Sequence, residues 1–152
     1  VRLLSLELAG TREAAPPELP ATLRDIERVD GGTERTIVLQ QSGNQLMLDG
    51  YVPPAMPMYS SAIGRTEVWT FDNQTDWDHP MHLHGFFFQP LGEQGSLRMK
   101  DTINVPKRSK VRVAARFDER PGNWMLHCHI LHHTTNDNVE PGGLMLMIEV
   151  VE

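Results

Sequence analysis

All seven histidines of this chain, and its single cysteine, fall in two short windows. One window is His79-Pro80-Met81-His82-Leu83-His84 and the other is His127-Cys128-His129-Ile130-Leu131-His132-His133. Imidazole and thiolate are the soft and borderline ligands that transition metals prefer. Structural zinc usually takes two or more cysteines, so one thiolate among several imidazoles points instead to copper. Packing gives no reason for such clustering. Imidazoles two residues apart repel when charged and make a poor core, although a lone buried cysteine would pass as a small hydrophobe.

Strand periodicity sorts these ligands. Successive side chains of a strand point to opposite faces. His127 and His129 then share one face and Cys128 takes the other. His82 and His84 share a face, and His79 has the opposite parity, with Pro80 breaking the strand beside it. Two neighbouring strands would gather Cys128 with His79 on one side and His82, His84, His127 and His129 on the other. Of the two histidines that follow Cys128, His133 suits a strand that ends and doubles back, so it completes the first set, with His132 left outside. Two imidazoles, one thiolate and a weak or absent axial group make a blue-copper centre. The thiolate of one site is joined to imidazoles of the other through adjacent backbone, a short path for one electron.

The elements that hold these windows read as strands. Strands are expected at residues 2–9, 36–40, 45–51 (running into a turn at Asp49-Gly50), 66–71, 82–90, 101–105, 110–117, 123–129 and 144–151. Residues 14–20 read as a Pro-rich connection, 21–29 as an ambiguous stretch with helical character, and 52–61 as a loop. Many short strands separated by turn signals predict an all-β antiparallel sandwich or barrel. Residues 1–152 fit one domain with a proper core and show no internal repeat. The formal net charge of −6 and pI of about 5.6 leave no basic stripe for nucleic acid, and no apolar run is long enough to cross a bilayer. The opening Val1-Arg2-Leu3 reads as the start of a piece processed or excised from something longer.

The two windows resemble motifs of the multicopper oxidases, the laccase-like family. His79-Pro80-Met81-His82-Leu83-His84-Gly85 is similar to the family's third copper motif. The run from Pro121 to Ile130, with His133, is similar to its fourth. Lys100-Asp101-Thr102 and residues 117–122 also resemble the family, and the resemblance covers roughly residue 63 to the end. It implies a cupredoxin-like Greek-key β-sandwich and the family's C-terminal domain, with the N-terminal domains absent. By resemblance His79, Cys128 and His133 are type 1 copper ligands, His82 is a type 2 ligand, and His84, His127 and His129 are type 3 ligands. Three features depart from the pattern. Residues 134–142 lengthen the loop before the axial position, where Leu144 is the candidate and Met145 the alternative. Phe86 stands where many members have a fourth histidine. Thr134 stands where some bacterial members carry an acid.

The resemblance implies an oxidoreductase. Its type 1 copper would accept electrons from a small-molecule reductant (a phenol, an amine or a metal ion). Cys128 would relay them through His127 and His129 to a trinuclear copper site that reduces O2 to water. This chain offers only half the imidazoles such a cluster needs. The rest would come from the missing N-terminal cupredoxin domain or domains, or from self-association into a homo-oligomer. The alternatives are a stand-alone blue-copper electron carrier, which would have no use for His82, His84 and His129, or an excised or engineered copper-binding scaffold. The resemblance also implies a periplasmic or extracellular location.

Overall fold

The computed structural model describes residue 10 and residues 18–21, 25–29, 31–51, 56–92, 98–135 and 143–152. The strand expected at residues 2–9 lies outside the described residues, as does most of the loop at 134–142. Among the described residues ten strands form: β1 (Thr33–Ser42), β2 (Gln45–Leu48), β3 (Met58–Ala62), β4 (Thr66–Asn73), β5 (His79–Leu83), β6 (Phe88–Pro90), β7 (Thr102–Val105), β8 (Lys110–Arg116), β9 (Gly122–Cys128) and β10 (Met145–Val151). A 3₁₀ turn, Leu131–His133, follows β9. The strands make two five-stranded sheets, one in the order β2-β1-β4-β8-β6 and the other β3-β10-β9-β5-β7. From β2 to β9 each successive strand lies in the opposite sheet, so the chain laces the two layers together over residues 45–128 and they close as a cupredoxin-like sandwich.

Several expectations need correction. The sandwich is mixed rather than antiparallel, because β1 pairs parallel with β4 and β10 parallel with β3. Residues 82–90 are not one strand. The chain leaves the second sheet after Leu83, turns at Gly85 with φ +75°, and joins the first sheet as β6. Any larger residue at Gly85 would also bring its Cβ within 2.4 Å of the Trp124 ring. Third, the expected loop at 52–61 contains β3. Its Met-Tyr-Ser-Ser-Ala sequence has no β-branched residue, and its partner β10 is the last strand of the chain. The stretch at 25–29 is irregular, without helix. Pro80 sits inside β5 rather than before it, and its carbonyl accepts from His129 N–H at 2.7 Å.

The core lies between the sheets. Trp69 and Phe71 alternate on one face of β4 and are fully buried. Trp69 meets Phe71 and Phe88 edge to face, at centroid distances of 6.2 and 5.9 Å, pairs that add about 0.5–1.5 kcal/mol beyond the area they bury. From the other sheet, Met81, Leu83, Leu126, Leu146 and Ile148 close the core. Glu67 is buried at the far end of β4, where Arg35 Nε and Trp69 Nε1 donate to it at 2.9 and 2.7 Å. What matters for chemistry is the middle of the second sheet. There β5 and β9 are antiparallel neighbours, with His82 opposite His127 and Met81 opposite Cys128.

Candidate copper centre

Because β5 and β9 are paired in this register, their residues alternate together between core and surface. Met81, Leu83, Leu126 and Cys128 point inward, while His82 and His127 point outward. His79, at the start of β5, also points inward and is fully buried. The 3₁₀ turn after β9 carries His133 back over the same end of the sandwich, where it too is buried. The structure thus brings His79, Cys128 and His133 together. Their donor atoms all lie within 4.8 Å of one another.

The inner triad has the dimensions of a metal site. Nδ1 of His79 is 3.1 Å from Nδ1 of His133, and Cys128 Sγ is 3.8 and 3.6 Å from those two nitrogens. Ligands about 2.0–2.3 Å from a shared ion lie roughly 3–4 Å from each other, so these residues fit one without rearrangement. Burial and the neighbouring His133 ring lower the His79 pKa to about 4. His133 is also lowered, by burial and then by His132. Both rings are therefore neutral and ready to bind at neutral pH. His132 is exposed, its ring 4.9 Å from that of His133.

Burial pushes the Cys128 thiol up to about 11, against a smaller opposing hydrogen bond at Ile130. The metal-free thiol is therefore protonated at neutral pH, whereas the ligand is the thiolate. Copper loading is expected to release one proton per ion bound at this site. Apparent affinity is then expected to rise about tenfold per pH unit between roughly 7 and 10. Chelator competition across that range measures the slope. A flat profile would show a thiolate already formed.

The second group lies on the outer face. His82, His84 and His127 offer donor atoms within 4.8 Å of one another. His129 stands beside them, its ring centroid 5.5 Å from that of His82 and stacked on His127 at 5.8 Å. Carbonyls fix two of the rings. Nδ1–H of His82 donates to the Asp101 carbonyl at 3.0 Å and Nδ1–H of His127 to that of Cys128 at 2.9 Å. Each ring then keeps a bare Nε2 for a ligand. Nε2 of His127 faces Nε2 of His84 at 3.0 Å. Burial and then the surrounding imidazoles lower His84, and burial lowers His127, which keeps both rings neutral donors. This group opens on a cavity of about 650 Å³ lined by Met125, His127, His129, Leu131 and Met145.

The axial candidates separate by face. Met145 lies opposite His127 on the outer side, while Leu144 is fully buried, and its carbonyl accepts from Cys128 N–H at 2.9 Å. Sequence reasoning missed two contributors. Gly143 lets β10 start against the His133 carbonyl. Thr75 touches the far nitrogen of His79 at 2.6 Å. The Asn-x-Thr run four residues ahead of His79 was the available turn signal for the second.

A two-sheet sandwich with one buried thiol between two imidazoles, backed by imidazoles on the opposite face of the same strands, defines a cupredoxin-like copper protein. The family model for multicopper oxidases matches residues 18–140, and the chain belongs to that family, which makes copper its cofactor. Over 94 residues it is 32% identical to a laccase of Haloferax volcanii, covering 56% of this chain and 16% of that protein. It is 40% identical over 72 residues to the multicopper oxidase MmcO of Mycobacterium tuberculosis, covering 47% and 14%. The McoA multicopper oxidase of Aquifex aeolicus superposes with a TM-score of 0.66 at 27% identity, over 83% of this chain and 31% of McoA. The chain spans only a small part of the length of these relatives. Among the described residues, no helix is long and apolar enough to cross a membrane.

Proposed function

We propose that this chain is the C-terminal, type 1 copper-bearing domain of a laccase-like multicopper oxidase. The observation that carries the reading is the back-to-back arrangement. Cys128 lies inside with His79 and His133, and its chain neighbour His127 lies outside with His82 and His84. Copper bound at the inner site supplies one-electron redox chemistry toward a phenol, an amine or a metal ion. His79, Cys128 and His133 would hold it, and the buried, apolar Leu144 is the axial candidate, tied to Cys128 through its backbone carbonyl. The core around the triad excludes water. Cys128 is covalently continuous with His127 and His129, so the backbone itself links the two faces. His82, His84, His127 and His129 supply half of a trinuclear site for reduction of O2 to water.

The other half comes from an N-terminal cupredoxin domain or from further copies of this chain. The open cavity beside the outer imidazoles and the exposed Leu131 support an interface there. A periplasmic or extracellular setting accompanies this reading.

The test is a joint measurement of copper per chain, visible absorption, oxygen uptake and light-scattering mass. A single chain is expected to bind one intensely coloured copper and take up no oxygen. Oxygen uptake is expected only in an assembly that brings further imidazoles to the outer face. Colourless copper binding at full stoichiometry would reject the type 1 centre. A monomer that reduces oxygen at the rate of the assembly would reject the half-site.

A further inference from the structure

The end of β4 and the connection that follows it carry a buried polar chain that ends on His79. Asn73 and Thr75 are each 1% exposed. Thr75 Oγ1 lies 2.6 Å from Nε2 of His79 and 2.8 Å from Oδ1 of Asn73.

The protons in this chain can be counted. Asn73 Nδ2 faces three carbonyls, those of Trp77, Val105 and Pro106, at 2.8, 3.0 and 3.0 Å. An amide nitrogen only donates, so the orientation of the Asn73 amide is fixed and Oδ1 is an acceptor. Oδ1 takes the Thr75 N–H at 2.9 Å and the Thr75 hydroxyl. A hydroxyl has one proton. The Trp77 carbonyl at 3.2 Å is a second, longer acceptor for that proton; with the proton directed to Oδ1 or to this carbonyl, Thr75 Oγ1 can only accept from His79. The reverse arrangement would press two acceptor oxygens together at 2.8 Å with no hydrogen between them, in a buried site where unpaired polar atoms are costly.

We propose that Asn73 and Thr75 are positioning residues that hold His79 in the tautomer with hydrogen on Nε2, leaving Nδ1 bare and aimed at the space shared with Cys128 and His133. A neutral imidazole otherwise chooses between two tautomers, and one of them would put a hydrogen on the donor atom itself. The carbonyls that serve His82 and His127 do the same for the outer face, but there through Nδ1–H. Opposite ring nitrogens are thus freed on the two faces of one sheet. The inner device is built from side chains, so a point substitution can remove it.

The tautomer is read directly in the metal-free protein. Long-range proton–nitrogen NMR of nitrogen-15-labelled histidine at neutral pH is expected to show His79 with hydrogen on Nε2. Thr75→Val keeps a similar shape and deletes the acceptor. It is expected to mix the tautomers and to weaken copper binding by about 10–100-fold. Thr75→Ser restores the acceptor and is expected to restore both readings. A wild-type His79 with hydrogen on Nδ1 overturns the proposal, as does a Thr75→Val protein with unchanged tautomer or unchanged copper affinity. If Thr75→Val does not fold, the wild-type spectrum still decides. The copper arm rests on reading His79 as a ligand and the NMR arm does not. A wild-type protein that binds no copper while showing the Nε2–H tautomer would therefore fail the functional reading alone.

Discussion

In the Cys128→Ser protein, the intense visible absorption of the copper-loaded form is expected to vanish, and electron uptake from a reducing substrate to fall to the blank. The colour requires charge transfer from a thiolate, and Cys128 is the chain's one thiol. The fold should persist. Serine is slightly smaller than cysteine, and its buried hydroxyl would find His79 Nδ1 and His133 Nδ1 where the sulfur now lies 3.8 and 3.6 Å from them. The outer imidazoles do not depend on the sulfur as a ligand, so copper or zinc bound by His82, His84 and His127 is expected to remain. The variant thus separates the two faces. It should lose one coloured ion per chain while keeping the unfolding midpoint close to wild type. A Cys128→Ser protein that stays blue would remove Cys128 from the centre, and with it the electron path to His127 and His129.

Gly143→Ala is expected to be the most disruptive single-methyl change near the site, costing about 2–5 kcal/mol. A Cβ at this position would stand 2.1 Å from the His133 carbonyl oxygen, and φ is +72°. The obstacle is backbone, so no side-chain rotation relieves it. That carbonyl also accepts from Leu144 N–H at 2.8 Å, and the Leu144 carbonyl in turn accepts from Cys128 N–H at 2.9 Å. Moving β10 away from the 3₁₀ turn therefore loosens His133, Leu144 and Cys128 together, and copper affinity should fall with stability. Gly64→Ala is the matched control. Gly64 has φ +77° but nothing within 4 Å of its would-be Cβ, so it meets only the left-handed backbone cost of about 1–2 kcal/mol. Urea unfolding of the two variants separates conformational strain from collision. Equal losses would show that the approach of Gly143 to His133 is not tight in solution.

The sequence by itself determined which side chains share a face. A strand alternates whatever sheet it joins, so His127 and Cys128 had to point apart, and His82 had to oppose the parity of His79. It also determined the chemistry, since a sole thiol among clustered imidazoles is a copper donor set in any fold. The strands with strong alternation, such as residues 66–71 and 110–117, were legible for the same local reason. Partners in space were not. The parallel pairing of β1 with β4 and of β3 with β10 joins segments distant along the chain, and nothing local encodes it. The weak β3 sequence becomes a strand because β10 arrives beside it.

Alternation along the last strand already put Leu144 ahead of Met145 as the axial candidate; only the antiparallel register places Met145 opposite His127. The roles of Gly143 and Thr75 were not legible, because one is a close approach and the other a hydrogen bond, although Asn73-x-Thr75 carries a turn signal. Local alternation follows from covalent geometry and is carried by every residue. Contact across the sandwich exists only once the two sheets have packed, and that packing decides which nitrogen of His79 is bare.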